Sequence, residues 1–190
     1  MLEKLITRHV LYPMINSPTV AQSLNDQYAY RPTGSTTAAL IAMLDDLTHL
    51  LNSHPYVHII GLDFSKAFDT VRHSTLMGKL ASLPINDTIY NWIADYLRNR
   101  SHCTKVNGII SAPLSINASV VQGSAIGPLA FIFNASDLRA STPGNKLHKY
   151  ADDASLVVPA NNSHTIVGEL AQIATWANAN NMRLNPNKSI

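Results

Sequence analysis

Residues 146–158 read KLHKYADDASLVV. Strand-forming residues flank two adjacent aspartates, Asp152 and Asp153, and the pattern predicts a β-hairpin with the pair at its turn. An Asp-Asp turn is ordinary on a surface, because Asp tolerates turn geometry and bonds nearby backbone. Adjacent carboxylates repel, however, and the repulsion grows as water is excluded. A third carboxylate gives the pair meaning. Asp63 ends the apolar run Val57-His58-Ile59-Ile60-Gly61-Leu62, which predicts a mostly buried strand. A charge at the end of such a strand is costly unless it meets solvent or a partner. With strand 57–63 beside the 146–158 hairpin, Asp63 and Asp152 converge, and their cluster needs cations. Mg²⁺ takes hard oxygen ligands, usually one or two carboxylates plus substrate phosphates. Two such ions ~3.5–4 Å apart clamp the attacking and leaving oxygens of a phosphoryl transfer. The backbone carbonyl of Phe64 is a further candidate ligand.

The rest of the chain supports a folded domain around that hairpin. Of 190 residues, 46% are hydrophobic and 14% charged, a core-forming composition. The formal charge is +2, so any nucleic-acid groove is local and not a property of the whole surface. Cys103 is the single cysteine, which excludes an internal disulfide and a cysteine-based zinc site. Pro55 between His54 and His58 keeps that pair off one helical face. No apolar run approaches the ~20 residues of a membrane span. The first fifteen residues, MLEKLITRHVLYPMI, are amphipathic and charged, unlike a secretory signal.

Spacing predicts a helix over 2–15, then a turn-rich stretch with Pro18, Pro32 and Gly34. Ser35 or Thr36 caps a helix with Leu40, Leu44, Leu47 and Leu51 on one face. After strand 57–63 comes a helix over about 70–83, stopped by Pro84. The next helix, DTIYNWIADYLRNR, takes Asp87 or Thr88 as its cap. A hairpin is expected within 102–121, then an apolar helix, LAFIFNASDL, after Gly123, Gly127 and Pro128. The 146–158 hairpin and a helix over about 165–178 complete the order. The expected class is α+β, with helices packed on one face of a small antiparallel sheet.

Three segments, LDFSKAFDTVRHSTLMGKL, VVQGSAIGPLAFIFNASDL and KYADDASLVV, resemble successive motifs of reverse transcriptases. They are most similar to those of non-LTR (LINE-like) retrotransposons. QYAYRPTGSTTAAL resembles the fingers-side block of that family, and NMRLNPNKSI its Leu-Asn-x-x-Lys block. Five segments in order, from about Leu2 to Lys188, make the resemblance specific.

The resemblance implies a polymerase palm with part of the fingers. Residues 1–55 would be fingers-side helices and 56–190 palm, with the thumb and upstream fingers absent. It implies RNA-directed DNA polymerase activity with two Mg²⁺ ions, Mn²⁺ being a possible substitute. An RNA template, a DNA primer and deoxynucleoside triphosphates are the implied partners, with no membrane. Nucleus or cytoplasm is implied by the family alone. Asp63 and Asp152 match the main metal ligands, with Asp153 more peripheral but still needed. Phe68 matches the aromatic that packs under the incoming sugar and excludes a ribose 2′-hydroxyl. Ser65, Lys66 and Ala67 would lie near the triphosphate, mainly through backbone amides. Gln122 and Gly123 would approach the nucleotide, and Lys188 the leaving pyrophosphate. Arg31, Ser124 and Tyr150 would meet template or primer, with a surface salt bridge the other reading of Arg31.

Departures fall outside the aspartates. The family's Gly-Phe-Arg stands here as Ala29-Tyr30-Arg31, its Val-Pro-Gln-Gly as Val120-Val121-Gln122-Gly123, and Arg72 holds a position where relatives often carry Asp. Competing expectations are an inactive retroelement remnant that at most binds nucleic acid, a group II intron maturase-type relative, and an unrelated two-metal nuclease.

Overall fold

A computed structural model describes residues 2–121, 123–185 and 187–189. Gln122 lies outside the described residues, so its expected nucleotide contact has no structural description. The architecture is a three-stranded antiparallel sheet with helices against both faces. β1 (Val57–Leu62) and β6 (Lys146–Tyr150) flank a central β7 (Asp153–Pro159). β1 pairs from Val57↔Pro159 to Leu62↔Ala154, and the β6–β7 hairpin closes at Tyr150↔Asp153.

Side chains alternate along these strands, and the two faces differ. Leu62, Leu147, Ala154, Leu156 and Val158 join the main core. That core is built around α8 (Gly127–Asn134), where seven of the eight residues are buried, and α9 (Ile166–Ala179). His148, Asp153 and Ser155 face the other way, toward α4 (Thr36–Leu51). Thus α4 covers the face opposite α8, where the sequence pattern suggested helices on one face only. It is held there by Asp46, whose carboxylate meets Lys146 at 2.6 Å and His148 at 3.1 Å. The long apolar side chains of α4 do not enter the core: Leu40, Leu44 and Leu51 are all more than half exposed.

The N-terminal helix runs from α1 (Leu2–Ile6) through a π-helical turn over Thr7–Leu11 into α2 (Tyr12–Ile15), and α3 (Pro18–Ser23) follows. Ser35 caps α4 by accepting the Ala38 amide at 3.0 Å. The single helix expected over 70–83 is two, α5 (Ala67–Thr70) and α6 (His73–Ala81). Returning chain causes the break: the Ser119 and Val120 amides donate to the carbonyls of Val71 and Phe68, and Arg72 bridges to Ala118. Helix α7 (Asp87–Leu97) is capped by Asn86, which accepts the Thr88 amide at 2.8 Å, and not by Asp87 or Thr88. The expected 102–121 hairpin is shorter. It consists of two ladders, β2 (Ser101–His102) with β5 (Leu114–Ser115) and β3 (Lys105–Val106) with β4 (Ile109–Ile110). Helix α8 ends at Asn134, four residues short of the expected Leu138. Among the described residues no helix is long and apolar enough to cross a membrane.

Lys149 and Glu169 are buried, and each has the polar partners that burial demands. Lys149 is almost fully buried and donates to the Ala135 and Leu138 carbonyls at 2.9 Å, with Asp26 3.2 Å away. Burial pulls its ammonium down to about 8, against the pull of Asp26. Glu169 of α9 accepts the Ser141 and Thr142 amides and the Asn145 side chain, fastening the loop before β6.

Candidate active site

The end of β1 and the β6–β7 turn meet at one end of the sheet. β1 stops at Leu62, and Asp63 follows. Across from it, the β6–β7 turn consists of Ala151 and Asp152 between the Tyr150↔Asp153 pair. Ala151 is left-handed, with φ +57°, which is strained for a residue with a side chain. Gln27 supports that turn, accepting the Ala151 amide at 3.0 Å. The turn aims Asp152 into a cleft of about 490 Å³ shared with Asp63, Phe64, Lys66, Phe68 and Lys188. Burial raises the Asp152 carboxyl above the ordinary carboxylate range, and the charges of Asp153 and Asp63 push it further, against a backbone hydrogen bond. Burial and the two neighbouring carboxylates thus both disfavour the bare Asp152 carboxylate, a strain that a bound cation would relieve.

Asp153 does not share the cleft. It is exposed and lines a separate cavity with Thr36, Leu40 and Met43 of α4. Successive residues of a strand point to opposite faces, which is why two neighbouring aspartates divide between two surfaces. Among the described residues no group of three His, Cys, Asp or Glu side chains converges as a metal cluster. Of the three expected ligands, Asp63 and Asp152 share the cleft, and Asp153 lies on the other surface and acts on Asp152 through charge.

The segment 182–185 completes the cleft. It runs antiparallel beside the residues after β1, bridging Phe64 to Leu184. The Asn185 amide donates to the Asp63 carbonyl at 2.8 Å, and the Ser65 amide to the Arg183 carbonyl at 2.9 Å. This pattern leaves the Phe64 carbonyl outside the ladder, so it stays a candidate oxygen ligand. It also commits the Ser65 amide, which the sequence reading had assigned to a triphosphate. Lys188 also lines the cleft. Lys66 is exposed and left-handed (φ +50°), and Ala67 is buried beneath it.

An aromatic wall closes one side. Phe68 stacks on Phe131, with ring centroids 4.5 Å apart and planes at 19°. Tyr30 meets Phe68 edge-on at 6.2 Å and 88°. Tyr30 is itself left-handed, with φ +58°. Burial, then the Asp152 charge, raises its phenol, so its hydroxyl lies in the field of the carboxylate. Gly123 lies against the same wall with φ +82°, a conformation glycine adopts without strain.

Two residues expected at the template, Arg31 and Ser124, bond to backbone in the structure. The Arg31 guanidinium donates to the Leu24 and Gln27 carbonyls at 2.5 and 3.1 Å, and among the described residues it forms no salt bridge. The Ser124 hydroxyl donates to the Val121 carbonyl at 2.7 Å and accepts the Gly127 amide at 2.9 Å, capping the entry to α8. Backbone groups at helix ends need partners, and these side chains supply them. Tyr150 lies half-buried on the α4 side of the hairpin. Sequence reasoning missed Gln27 and Tyr30. Both stand in the quoted fingers-side block, but an uncharged glutamine and a turn tyrosine carry no chemical signature there.

The geometry can be set beside known proteins. The family described as reverse transcriptase (RNA-dependent DNA polymerase) matches residues 4–190. The probable RNA-directed DNA polymerase from transposon BS of Drosophila melanogaster is 26% identical over 175 residues, covering 86% of this chain and 19% of that protein. The RNA-directed DNA polymerase from mobile element jockey, of the same species, is 25% identical, covering 98% of this chain and 22% of its own length. The Pol polyprotein from type-1 retrotransposable element R2 of Popillia japonica is 30% identical, covering 70% and 20%. The chain thus spans about a fifth of the length of these relatives. Among solved structures, apo telomerase from Candida tropicalis truncated from its C-terminal domain superposes with a TM-score of 0.74 at 14% identity, covering 96% of this chain and 39% of that one. Telomerase of the same species with a fragment of telomeric RNA gives 0.72 at 12%, covering 99% and 32%. At that identity the likeness speaks for the fold alone, a polymerase palm with part of the fingers. Sequence match, fold and the order of the motifs agree: the chain belongs to the reverse transcriptase (RNA-dependent DNA polymerase) family, among the polymerases of non-LTR retrotransposons.

Proposed function

We propose that this chain is the palm core, with fingers-side helices over 1–55 and palm over 56–190, of an RNA-directed DNA polymerase that adds deoxynucleotides to a primer 3′-hydroxyl. The convergence of Asp63 and Asp152 in one cleft, with the Asp152 carboxyl raised by burial and like charge, carries the reading. Asp63 and Asp152, with the Phe64 carbonyl, are hard oxygen donors that fit Mg²⁺ or Mn²⁺. When bound, such ions lower the pKa of the primer hydroxyl and neutralise charge on the triphosphate and leaving pyrophosphate. Asp63 and Asp152 hold that charge at the end of the sheet, and Asp153 keeps the local field negative. Lys188, which lines the same cleft, supplies a cation suited to pyrophosphate. Phe68, stiffened by stacking on Phe131, presents a wall that a ribose 2′-hydroxyl would strike. Gly123 lets template or nucleotide approach the backbone. RNA template and DNA primer would bind through phosphate contacts, so affinity should fall steeply with salt.

Primer extension on an RNA template with Mg²⁺ and deoxynucleotides tests the reading. Wild type should incorporate nucleotide, and Asp152→Ala should fall to background. Equal incorporation by the two would remove Asp152 from its role. Salt-sensitive binding of the hybrid with no incorporation by wild type would instead favour a nucleic-acid-binding remnant.

A further inference from the structure

Gln27 is fully buried, and among the described residues its carboxamide bonds only to backbone. Its Oε1 accepts the Ala151 amide and the Ala29 amide, each at 3.0 Å, and its Nε2 donates to the Ala151 carbonyl at 3.4 Å. An amide oxygen has two lone pairs, and both are used. The two residues it grips precede functional positions. Ala151 precedes Asp152 and is held at φ +57°; Ala29 precedes Tyr30, held at φ +58°. Left-handed backbone in residues with side chains persists only where the surroundings over-determine it.

The grip is itself anchored. The Lys149 amide donates to the Asp26 carbonyl at 2.7 Å, and the Tyr28 amide to the Lys149 carbonyl at 2.9 Å, so residues 26–28 form a short parallel rung on the edge of β6. The Asp26 carboxylate meets Arg139 at 2.7 Å and Lys149 at 3.2 Å. Arg31 ties the Gln27 carbonyl from the other side. The backbone that carries Gln27 is thus fixed on both flanks, and its side chain has one place to go.

We infer that Gln27 is a positioning residue that sets two parts of the cleft with one carboxamide: the turn that aims Asp152, and the turn that seats Tyr30 against Phe68. The inference rests on the reading of the cleft as a divalent-cation and nucleotide site. A buried amide left unpaired is expensive, so loss of the carboxamide releases both turns together. Loss of a group that orients a metal ligand typically costs roughly 10–100-fold in metal affinity.

Amide hydrogen exchange and Mn²⁺ titration, followed by electron paramagnetic resonance, test this on the whole chain. In wild type, the Ala29 and Ala151 amides should exchange as slowly as those of the β6–β7 ladder, although both lie in turns. In Gln27→Met, which keeps the volume and removes the hydrogen bonds, both should become fast, and Mn²⁺ affinity should fall at least tenfold. Glu169→Gln is the control: it destabilises the fold far from the cleft and should leave Mn²⁺ affinity within about twofold. Asp152→Ala should abolish the same Mn²⁺ binding. Loop-like exchange at Ala151 in wild type overturns the inference without any variant, and so does wild-type Mn²⁺ affinity in a folded Gln27→Met. Release of one amide without the other overturns the coupling. If wild type binds no Mn²⁺, or Asp152→Ala binds it normally, the reading of the cleft fails first.

Discussion

Asp152 and Asp153 are adjacent in sequence and separate in space. One turns into a cleft with Asp63, the other onto the face covered by α4. The sequence made all three carboxylates visible and joined Asp63 to Asp152 through the pairing of a strand with a hairpin. It left Asp153 with its neighbour, because strand alternation at a turn depends on where the turn begins. Phe68 was equally legible, and its stacking on Phe131 explains how one side chain can act as a rigid wall. Phe68→Val should shorten that wall while keeping the site apolar. Relative incorporation of ribonucleotides over deoxynucleotides should rise about tenfold, equivalent to ~1.4 kcal/mol of lost discrimination. Competition between the two nucleotide types in single-addition assays measures it, and an unchanged ratio would return Phe68 to plain packing.

At the scale of elements, the sequence resolved most strands and helices but not the contacts that interrupt them. The break between α5 and α6 comes from residues 118–120, nearly fifty positions away, and no local pattern carries it. Charges that look like surface features are likewise structural. Glu169 is one: burial alone would raise its carboxyl, but amides of Ser141 and Thr142 and the Asn145 side chain hold it at about 2, against an ordinary 4.5. A depressed carboxylate stabilises the fold above its unfolded pKa and loses that contribution as pH falls through the folded one. Wild type should therefore lose stability between about pH 4.5 and pH 2 more steeply than Glu169→Gln. At neutral pH the variant should be less stable by roughly 1.5–3 kcal/mol, the worth of hydrogen bonds to a buried charge. Urea unfolding at a series of pH values measures both slopes, and parallel curves would contradict the assignment.

Across the whole molecule, two segments distant in sequence hold the cleft. Residues 26–29 brace the hairpin from one side, and 182–185 close the cleft from the other. Family resemblance flagged both segments as blocks of a motif, while their physical task, fixing backbone around Asp63 and Ala151, became visible only in three dimensions. Removing residues 182–190 should uncover Phe64, which meets Trp176 edge-on at 6.0 Å, and take Lys188 from the cleft. Stability should drop by about 2–4 kcal/mol, in the range of losing large buried contacts, with Mn²⁺ affinity weakened as well. Thermal unfolding and metal titration of the shortened chain check the pair of effects, and a shortened chain as stable as the full one would contradict the bracing role.

Anomalous diffraction from crystals soaked in Mn²⁺ tests the central claim most directly. The account predicts a peak within coordination distance of the Asp63 and Asp152 carboxylates, on the side of the Phe64 carbonyl, and none against Asp153 alone. Mn²⁺ bound elsewhere, with those two carboxylates bare at saturating concentration, would contradict it.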